Sequence, residues 1–192
     1  MRMTYPDLLI LRHGETEWNR AGRMQGALDS PLTPLGADQA RRQRDILADF
    51  GVDGWDWHCS PQGRAHHTAR IAGEGLADAL VTDERLAEIG MGDWTGKSRA
   101  DIMAAVPHLF ELDEHLIWYD HAPGGEGIEA LAGRTAAFLA DLTGPSVIVT
   151  HGITSRILRC HALGLDPMAF GTLDGGQGVV YHLAEGQQTK LS

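Results

Sequence analysis

The sequence predicts an α/β fold, a three-layer sandwich in which a mainly parallel central sheet carries helices on both faces. Short apolar runs alternate with amphipathic segments along the whole chain, and this alternation is typical of a parallel sheet with crossover helices. Two of the runs end in the same His-Gly pair, at His13 and at His151. Ligand sites in open α/β sheets lie at the carboxyl ends of the strands, so we expect the functional site at that edge.

The first apolar run, residues 8–11, predicts a short buried strand and is followed directly by Arg12, His13 and Gly14. Arginine offers a fixed fork of donors that matches phosphate oxygens. A neutral histidine can attack phosphorus and carry the phosphoryl group covalently. Glycine permits a turn and close backbone approach. This segment indicates a phosphate site, although a strand can also end in Arg-His by chance.

Residues that typically begin and end helices predict the bounds of the elements that follow. Thr33 and Pro34 predict the N-cap and first residue of a helix that ends at Gly51. The predicted apolar face of this helix comprises Leu35, Ala40, Ile46, Leu47 and Phe50. Further helices are predicted at 61–73, 97–106, 108–118, 129–142 and 153–163, and strands or extended segments at 55–59, 80–86, 146–150 and 178–183.

A second arginine is expected near the same edge of the sheet. The chain leaves the strand at 55–59, turns at Pro61 and begins a helix whose first turn contains Arg64. A helix start offers free N–H groups and the positive end of the helix dipole, which suits an anion. The strand at 146–150 then ends in His151 and Gly152. Two histidines and two arginines are therefore expected at strand ends or helix starts.

With these motifs the chain resembles the histidine phosphatase superfamily, the phosphoglycerate mutase-like proteins, on their phosphatase branch. RHGETEWN is similar to the family's RHGETxWN, SPQGRAHHTA to SPLxRAxxTA with Gln62 in place of the usual leucine, and VIVTHG to the second histidine block. LAEIGMGDWTG resembles the block that carries the family's acid residue, and PLTPLGADQA resembles its first helix. The resemblance runs in order over nearly the whole chain.

The resemblance implies a phosphohistidine mechanism. No metal and no cofactor are expected, because the histidines lack a tight ligand spacing and no Cys pair or His-Glu-x-x-His pattern accompanies them. His13 would be the nucleophile that becomes phosphohistidine. Arg12, Arg64 and His151 would hold the phosphoryl oxygens and stabilise the charge of the transition state. The two arginines should also depress the pKa of His13 and so keep it neutral for attack.

Glu88 is the candidate general acid implied by the resemblance. It would protonate the leaving oxygen and then deprotonate the attacking water. Glu84 and Asp83 lie close by in sequence, and spacing alone does not choose among the three carboxylates. Further phosphate or substrate contacts are expected from Asn19, Gln25, Gly26 and Gly152.

Segment 86–127 is expected to cover the site as a lid and to set substrate choice. His115 and His121 are candidates for lining the substrate cavity. Trp94 and Trp118 are also candidates, with ordinary core packing as the alternative for both.

Composition bounds the class of protein and its partners. The chain has 192 residues, 43% of them hydrophobic, which fits one domain spanning residues 1–192. A formal charge of −10 argues against nucleic acid or an anionic membrane as partner. Two cysteines, Cys59 and Cys160, are too few for a disulfide framework and are expected to be buried thiols. With no signal peptide and no membrane-spanning run, a cytoplasmic location is expected.

Three functions fit these observations. The first is hydrolysis of a small phosphorylated metabolite, the second is a cofactor-dependent phosphoglycerate mutase, and the third is a catalytically silent phosphate-binding module. The mutases that the chain resembles carry an insertion between the acid residue and the second histidine, and the short span from Glu88 to His151 favours the phosphatase. The expected partner is a small-molecule phosphate ester. The oligomeric state is left open, with a homodimer as the commonest closed assembly.

Overall fold

The computed structural model describes residues 5–111 and 116–192 and contains a six-stranded sheet. Its strands are β1 (Leu8–Arg12), β2 (Asp56–Cys59), β3 (Val81–Thr82), β4 (Ser146–Thr150), β5 (Val180–Ala184) and β6 (Gln187–Leu191). The order across the sheet is β3-β2-β4-β1-β5-β6. Strands β3, β2, β4 and β1 pair in parallel, whereas β5 is antiparallel to both β1 and β6. The mainly parallel sheet is therefore confirmed.

Helices cover both faces of this sheet. They are α1 (Glu17–Arg20), α2 (Pro34–Phe50), α3 (Gly63–Ala72), α4 (Arg99–Ala105), α5 (Ile128–Ala140) and α6 (Gly152–Leu163). Leu9 and Leu11 of β1 belong to a buried cluster with residues of α2 and α3. Leu8 and Ile10 belong to a second cluster with residues of α5 and α6. Successive side chains of β1 thus point to opposite layers, which confirms the three-layer sandwich.

Helix α2 begins and ends where its sequence predicts. The Thr33 hydroxyl accepts a hydrogen bond from the Gly36 N–H at 3.0 Å, Pro34 occupies the first turn, and Gly51 ends the helix at φ 82°. The predicted apolar face is only partly correct. The buried residues of α2 are Gly36, Ala40, Gln43 and Leu47. Leu35 and Phe50 are 53% and 36% exposed. Leu35 lies beside the stripe position Gly36, whereas Phe50 continues the spacing of the stripe but is the last residue of the helix.

Two glycines bring the loop after β1 against the start of α2. A Cβ added to Gly14 would lie 2.1 Å from the carbonyl oxygen of Gly36, and a Cβ on Gly36 would lie 2.0 Å from that of Glu15. Backbone packs directly on backbone here, so only glycine fits at either position. This contact fixes the loop that carries His13.

Segment 107–121 is where the sequence-based prediction is wrong. Instead of an α-helix at 108–118, the structure has 3₁₀ turns at Pro107–Leu109 and Ile117–His121. Residues 112–115, and with them His115, lie outside the described part. Leu116 adopts a left-handed conformation at φ 73°, which is incompatible with a continuous helix.

Two further differences concern the strands. The predicted extended segment 80–86 is a two-residue strand, β3, followed by a 3₁₀ turn at Glu84–Leu86. Strand β6 follows the predicted last strand and was missed, because its sequence QQTKL is mostly polar. Glu185 and Gly186 both have positive φ, 51° and 73°, which is the conformation of a tight hairpin turn between β5 and β6.

Both cysteines are buried and free, as predicted. Burial raises the pKa of each thiol, Cys59 and Cys160, to about 11. Across residues 5–111 and 116–192 no helix has the length and apolar character needed to cross a membrane.

Candidate active site

The two predicted site histidines lie side by side because of the register between β1 and β4. Arg12 pairs with Thr150 in this parallel ladder, so the residues that follow each strand, His13 and His151, leave the sheet at the same level. The His13 N–H still donates to the Thr150 carbonyl at 2.9 Å. The two imidazole centroids are 5.2 Å apart.

His13 is held in the form that a nucleophile requires. Its Nδ1 lies 2.7 Å from the carbonyl oxygen of Gly14. A carbonyl only accepts, so we assign the proton to Nδ1, which leaves the lone pair of Nε2 free. Burial, and then the charges of Arg12 and Arg64, hold the pKa of His13 well below its ordinary value of 6.5. The ring is therefore neutral and able to attack.

His151 is anchored through Nε2, whereas His13 is anchored through Nδ1. Its Nε2 lies 2.8 Å from the hydroxyl oxygen of Ser60, which also accepts a hydrogen bond from the Gln62 N–H at 3.2 Å. We assign the Ser60 proton to the bond with Nε2, so that Nδ1 of His151 carries a proton. Burial, followed by the charge of Arg64, also lowers the pKa of His151 well below 6.5. Ser60 was not singled out in the sequence.

Three buried donor atoms of this site have no hydrogen-bond partner within the described residues. They are Nε of Arg12, Nε of Arg64 and Nδ1 of His151. Buried N–H groups without partners are costly in folded proteins, and their grouping around His13 indicates a missing acceptor with several oxygens. A phosphoryl group has that chemistry.

Arg64 is held in place by hydrogen bonds to the loop at 26–29 and to Gln62. Its Nη1 donates to the Leu28 carbonyl at 2.8 Å and to Asp29 Oδ1 at 3.1 Å. Its Nη2 donates to the Gly26 carbonyl at 3.0 Å and to Gln62 Oε1 at 3.1 Å. Four of the five guanidinium donors are thus occupied, and Nε remains for a ligand.

Glu88 lies at the start of α6, where its carboxylate meets helix donors. Oε1 accepts from the N–H and the hydroxyl of Thr154 at 3.1 and 3.0 Å, and Oε2 accepts from the Ile153 N–H at 3.2 Å. A Cβ on Gly152 would touch both Glu88 Oε2, at 3.6 Å, and the Arg12 guanidinium, at 3.5 Å. Gly152 therefore lies next to both the carboxylate and the arginine, and a Cβ there would make only ordinary van der Waals contacts with them.

The alternative carboxylates lie away from the site. Glu84 is exposed, and Asp83 is paired with Arg85 at 2.7 Å. Neither lines the cavity that Glu88 lines.

Arg12, His13, Arg64 and Glu88, but not His151, line a cavity of about 60 Å³. It is lined by Arg12, His13, Asn19, Arg23, Met24, Gln25, Gly26, Arg64, Glu88, Met91 and Tyr119. Three larger cavities lie within the described part of the chain. Those of about 550 and 790 Å³ have no arginine in their walls, and the one of about 240 Å³ has Arg64 together with Asp29, the carboxylate that pairs with it. The small cavity is the better anion site, because buried basic donors and not volume decide where phosphate binds.

The predicted phosphate contacts Asn19, Gln25 and Gly26 all reach this cavity. Asn19 also has a structural role, because its Oδ1 accepts from the Thr16 N–H at 3.2 Å and from Gln177 Nε2 at 3.3 Å. Gln177 Nε2 lies 3.1 Å from the carbonyl oxygen of His13 as well. Gln177 was missed in the sequence because it is distant from every motif.

For Trp94 and Trp118 the structure shows the packing alternative and not a place in the cavity wall. Trp94 and Trp118 are 5% and 3% exposed and pack in the core, where Trp118 stacks on Phe110 at 5.1 Å. His121 is exposed and does not line the cavity. Tyr119 lines it instead, with its hydroxyl 3.9 Å from the sulfur of Met24.

Fold and site together are those of an α/β phosphoryl-transfer enzyme, with a neutral histidine beside a clamp of arginine and histidine donors. The model of the histidine phosphatase superfamily (branch 1) matches residues 8–190, so the chain belongs to that superfamily. The family resemblance predicted from the motifs is thereby confirmed.

Individual relatives agree with this membership. The chain is 29% identical over 188 residues to phosphoserine phosphatase 1 of Hydrogenobacter thermophilus, covering 93% of this chain and 87% of the relative. It is 34% identical over 177 residues to a protein of Enterobacter sp. named as a probable phosphoglycerate mutase, covering 83% and 76%. The solved mycobacterial glucosyl-3-phosphoglycerate phosphatase in complex with VO3 superposes with a TM-score of 0.80 at 32% identity, covering 93% and 92% of the two chains.

Proposed function

We propose that this chain hydrolyses the phosphomonoester of a small metabolite through a covalent intermediate on Nε2 of His13. The observation that carries the proposal is the set of three unpartnered buried donors, on Arg12, Arg64 and His151, next to a neutral imidazole with a free Nε2. A phosphoryl group placed there would satisfy the donors and present its phosphorus to His13.

The first half-reaction transfers the phosphoryl group to the protein. Nε2 of His13 forms a bond to phosphorus while the bond from phosphorus to the ester oxygen breaks. Charge on the three non-bridging oxygens is met by the free donors of Arg12, Arg64 and His151. Glu88, in its protonated form, gives its proton to the departing oxygen, so the product leaves as an alcohol.

The second half-reaction returns the protein to its starting state. The Glu88 carboxylate takes a proton from water as the water oxygen attacks phosphorus, and the bond to Nε2 breaks. Inorganic phosphate leaves, Glu88 is protonated again, and His13 regains its lone pair. Oε2 of Glu88 accepts one hydrogen bond, from Ile153, and a carboxylate oxygen can accept a second one from the alcohol or water.

Segment 86–127 is proposed as the substrate-facing part of the molecule. It supplies Glu88, Met91 and Tyr119 to the wall of the cavity that Arg12 and Arg64 also line. The wall beyond the phosphate contacts is thus made of a thioether, an aromatic ring and the exposed Arg23. We propose that the cavity of about 60 Å³ receives the phosphoryl group and that the alcohol portion of the substrate lies against these side chains.

The partner is proposed to be a small molecule and not a nucleic acid. Arg12 and Arg64 line the cavity, while the chain carries a formal charge of −10, which repels polyanions. The cytoplasmic location and the homodimer stay predictions.

The test is release of inorganic phosphate from para-nitrophenyl phosphate and from a panel that includes phosphoserine, glucosyl-3-phosphoglycerate and 3-phosphoglycerate. We expect hydrolysis that is unchanged by EDTA, because the proposed steps use arginine and histidine donors alone. Interconversion of 2- and 3-phosphoglycerate at a rate above hydrolysis would support the mutase instead. No turnover of any phosphomonoester would support a silent binding module.

A further inference from the structure

We infer that Gln62 is a positioning residue that couples the acid Glu88 to the phosphate clamp at Arg64. The inference rests on the proposed function, in which Glu88 protonates the leaving oxygen and Arg64 binds the phosphoryl group. It concerns a position at which this chain departs from the motif it otherwise matches, because Gln62 stands where SPLxRAxxTA has leucine.

The amide of Gln62 contacts three parts of the site at once. Its Oε1 accepts from Arg64 Nη2 at 3.1 Å and from the backbone N–H of Glu88 at 3.0 Å. Its Nε2 donates to the carbonyl oxygen of Gly26 at 3.0 Å. The cavity wall at Gly26, the arginine and the acid residue are therefore linked through one side chain.

The main chain of Gln62 is also fixed. Its N–H donates to the Ser60 hydroxyl at 3.2 Å, and its carbonyl accepts from Ala65 and His66 at 3.0 Å as the N-cap of α3. Because Ser60 in turn contacts His151 at 2.8 Å, the amide projects from a backbone that already belongs to the site.

Only a side chain with both a donor and an acceptor can make this set of contacts. Leucine makes none of them, and glutamate cannot donate to the Gly26 carbonyl. Glu88 is otherwise anchored to the start of α6, through Ile153 and Thr154. The bond from its N–H to Gln62 ties the acid to the helix that carries Arg64, so the amide sets the distance between the proton donor and the bound phosphoryl group.

The expected effect of losing Gln62 is therefore on protonation of the leaving oxygen and not on fold. The test compares Gln62→Met, which keeps the length, and Gln62→Leu, which places the motif residue in this fold, with the exposed control Gln187→Met. Each variant is assayed on para-nitrophenyl phosphate, whose leaving group needs little protonation, and on an alkyl phosphate. Unfolding by urea is measured for all variants.

We expect kcat on the alkyl phosphate to fall about 10-fold in both Gln62 variants, with a loss under about 3-fold on para-nitrophenyl phosphate and little change in KM. In a Glu88→Gln background the same substitutions should cost less than about 2-fold, because the acid is already absent. The control should match the parent chain on both substrates.

Two results would overturn the inference. One is an equal loss on both substrates that follows a loss of stability, since that is the behaviour of a purely structural residue. The other is no loss on the alkyl phosphate. If Glu88→Gln is selective for the alkyl phosphate and Gln62→Met is not, only the role of Gln62 fails. If Glu88→Gln itself shows no selectivity, the acid assignment fails and the role of Gln62 with it.

Discussion

The rings of His13 and His151 meet edge to face, at 62° and 5.2 Å between centroids, yet they are anchored through opposite nitrogens. The Gly14 carbonyl contacts Nδ1 of His13, and the Ser60 hydroxyl contacts Nε2 of His151. The ring of His13 therefore offers a lone pair at Nε2, and the ring of His151 offers an N–H at Nδ1. Two residues of the same type thus have different chemistry, and their roles are not interchangeable.

Covalent labelling should follow this asymmetry. We expect His13→Ala to abolish turnover with a near-parental circular dichroism spectrum, and His108→Ala, an exposed control, to leave turnover unchanged. A labelled phosphoester, quenched during turnover and digested at alkaline pH, should mark His13 alone. Label on His151, a serine or an aspartate would reject the assignment.

Replacement of the acid should depend on the leaving group. We expect Glu88→Gln to lower kcat on an alkyl phosphate by about 100-fold or more, and to have a much smaller effect on para-nitrophenyl phosphate. Glu84→Gln is the matched control, because this carboxylate is exposed and outside the cavity wall. If the selective loss appeared in Glu84→Gln, the acid role would move to that residue.

The two buried histidines should make the fold sensitive to mild acid. Burial lowers both pKa values well below 6.5, so below that pH the unfolded chain binds protons that the folded chain does not. Stability then falls as the pH drops below about 6.5, by roughly 1.4 kcal/mol per pH unit for each histidine, until the folded pKa is reached. Above pH 6.5 both states are neutral and the contribution is constant.

Urea unfolding between pH 7.5 and 5.5 measures this dependence. His13→Asn should show a shallower loss of stability with falling pH than the parent chain, because one buried titrating group is gone. Parallel curves for the two proteins would show that His13 titrates alike in the folded and unfolded states.

Tyr119 should limit the size of the substrate. Burial raises its pKa to about 12, so the phenol is neutral over the assay range and acts as a wall. We expect Tyr119→Ala to shift the ratio of kcat/KM for a bulky aryl phosphate over a small alkyl phosphate by about 10-fold or more towards the bulky ester. Tyr119→Phe keeps the ring and should keep the parental ratio. An unchanged ratio in Tyr119→Ala would place the size limit elsewhere.

The sequence predicted those site residues that sit beside a strong local signal. His13 and His151 each follow an apolar run, and Arg64 follows a strand and a turn, so their placement needed no knowledge of long-range contacts. The register that sets Arg12 opposite Thr150 is non-local, and no local pattern encodes it.

The other partners of the site were not predicted for the same reason. Gln177 reaches the carbonyl of His13 across 164 residues of chain, and parallel or long-range pairings leave no periodic trace in sequence. Segment 107–121 lacks helical periodicity where Leu116 turns left-handed, so the position of Tyr119 at the cavity was not visible.

The backbone contact between Gly14 and Gly36 has a consequence for mutational scanning. Neither position can accept even a methyl group unless the backbone segment that faces it moves. We therefore expect every single substitution at Gly14 or Gly36 to be destabilising. In a selection for activity, substitutions at both positions would be depleted as strongly as substitutions at a catalytic residue, although Gly36 lies on α2 and touches no substrate. Measuring protein abundance beside activity would tell the two apart, because variants at Gly36 should disappear from the soluble pool whereas His13 variants should accumulate there as inactive protein.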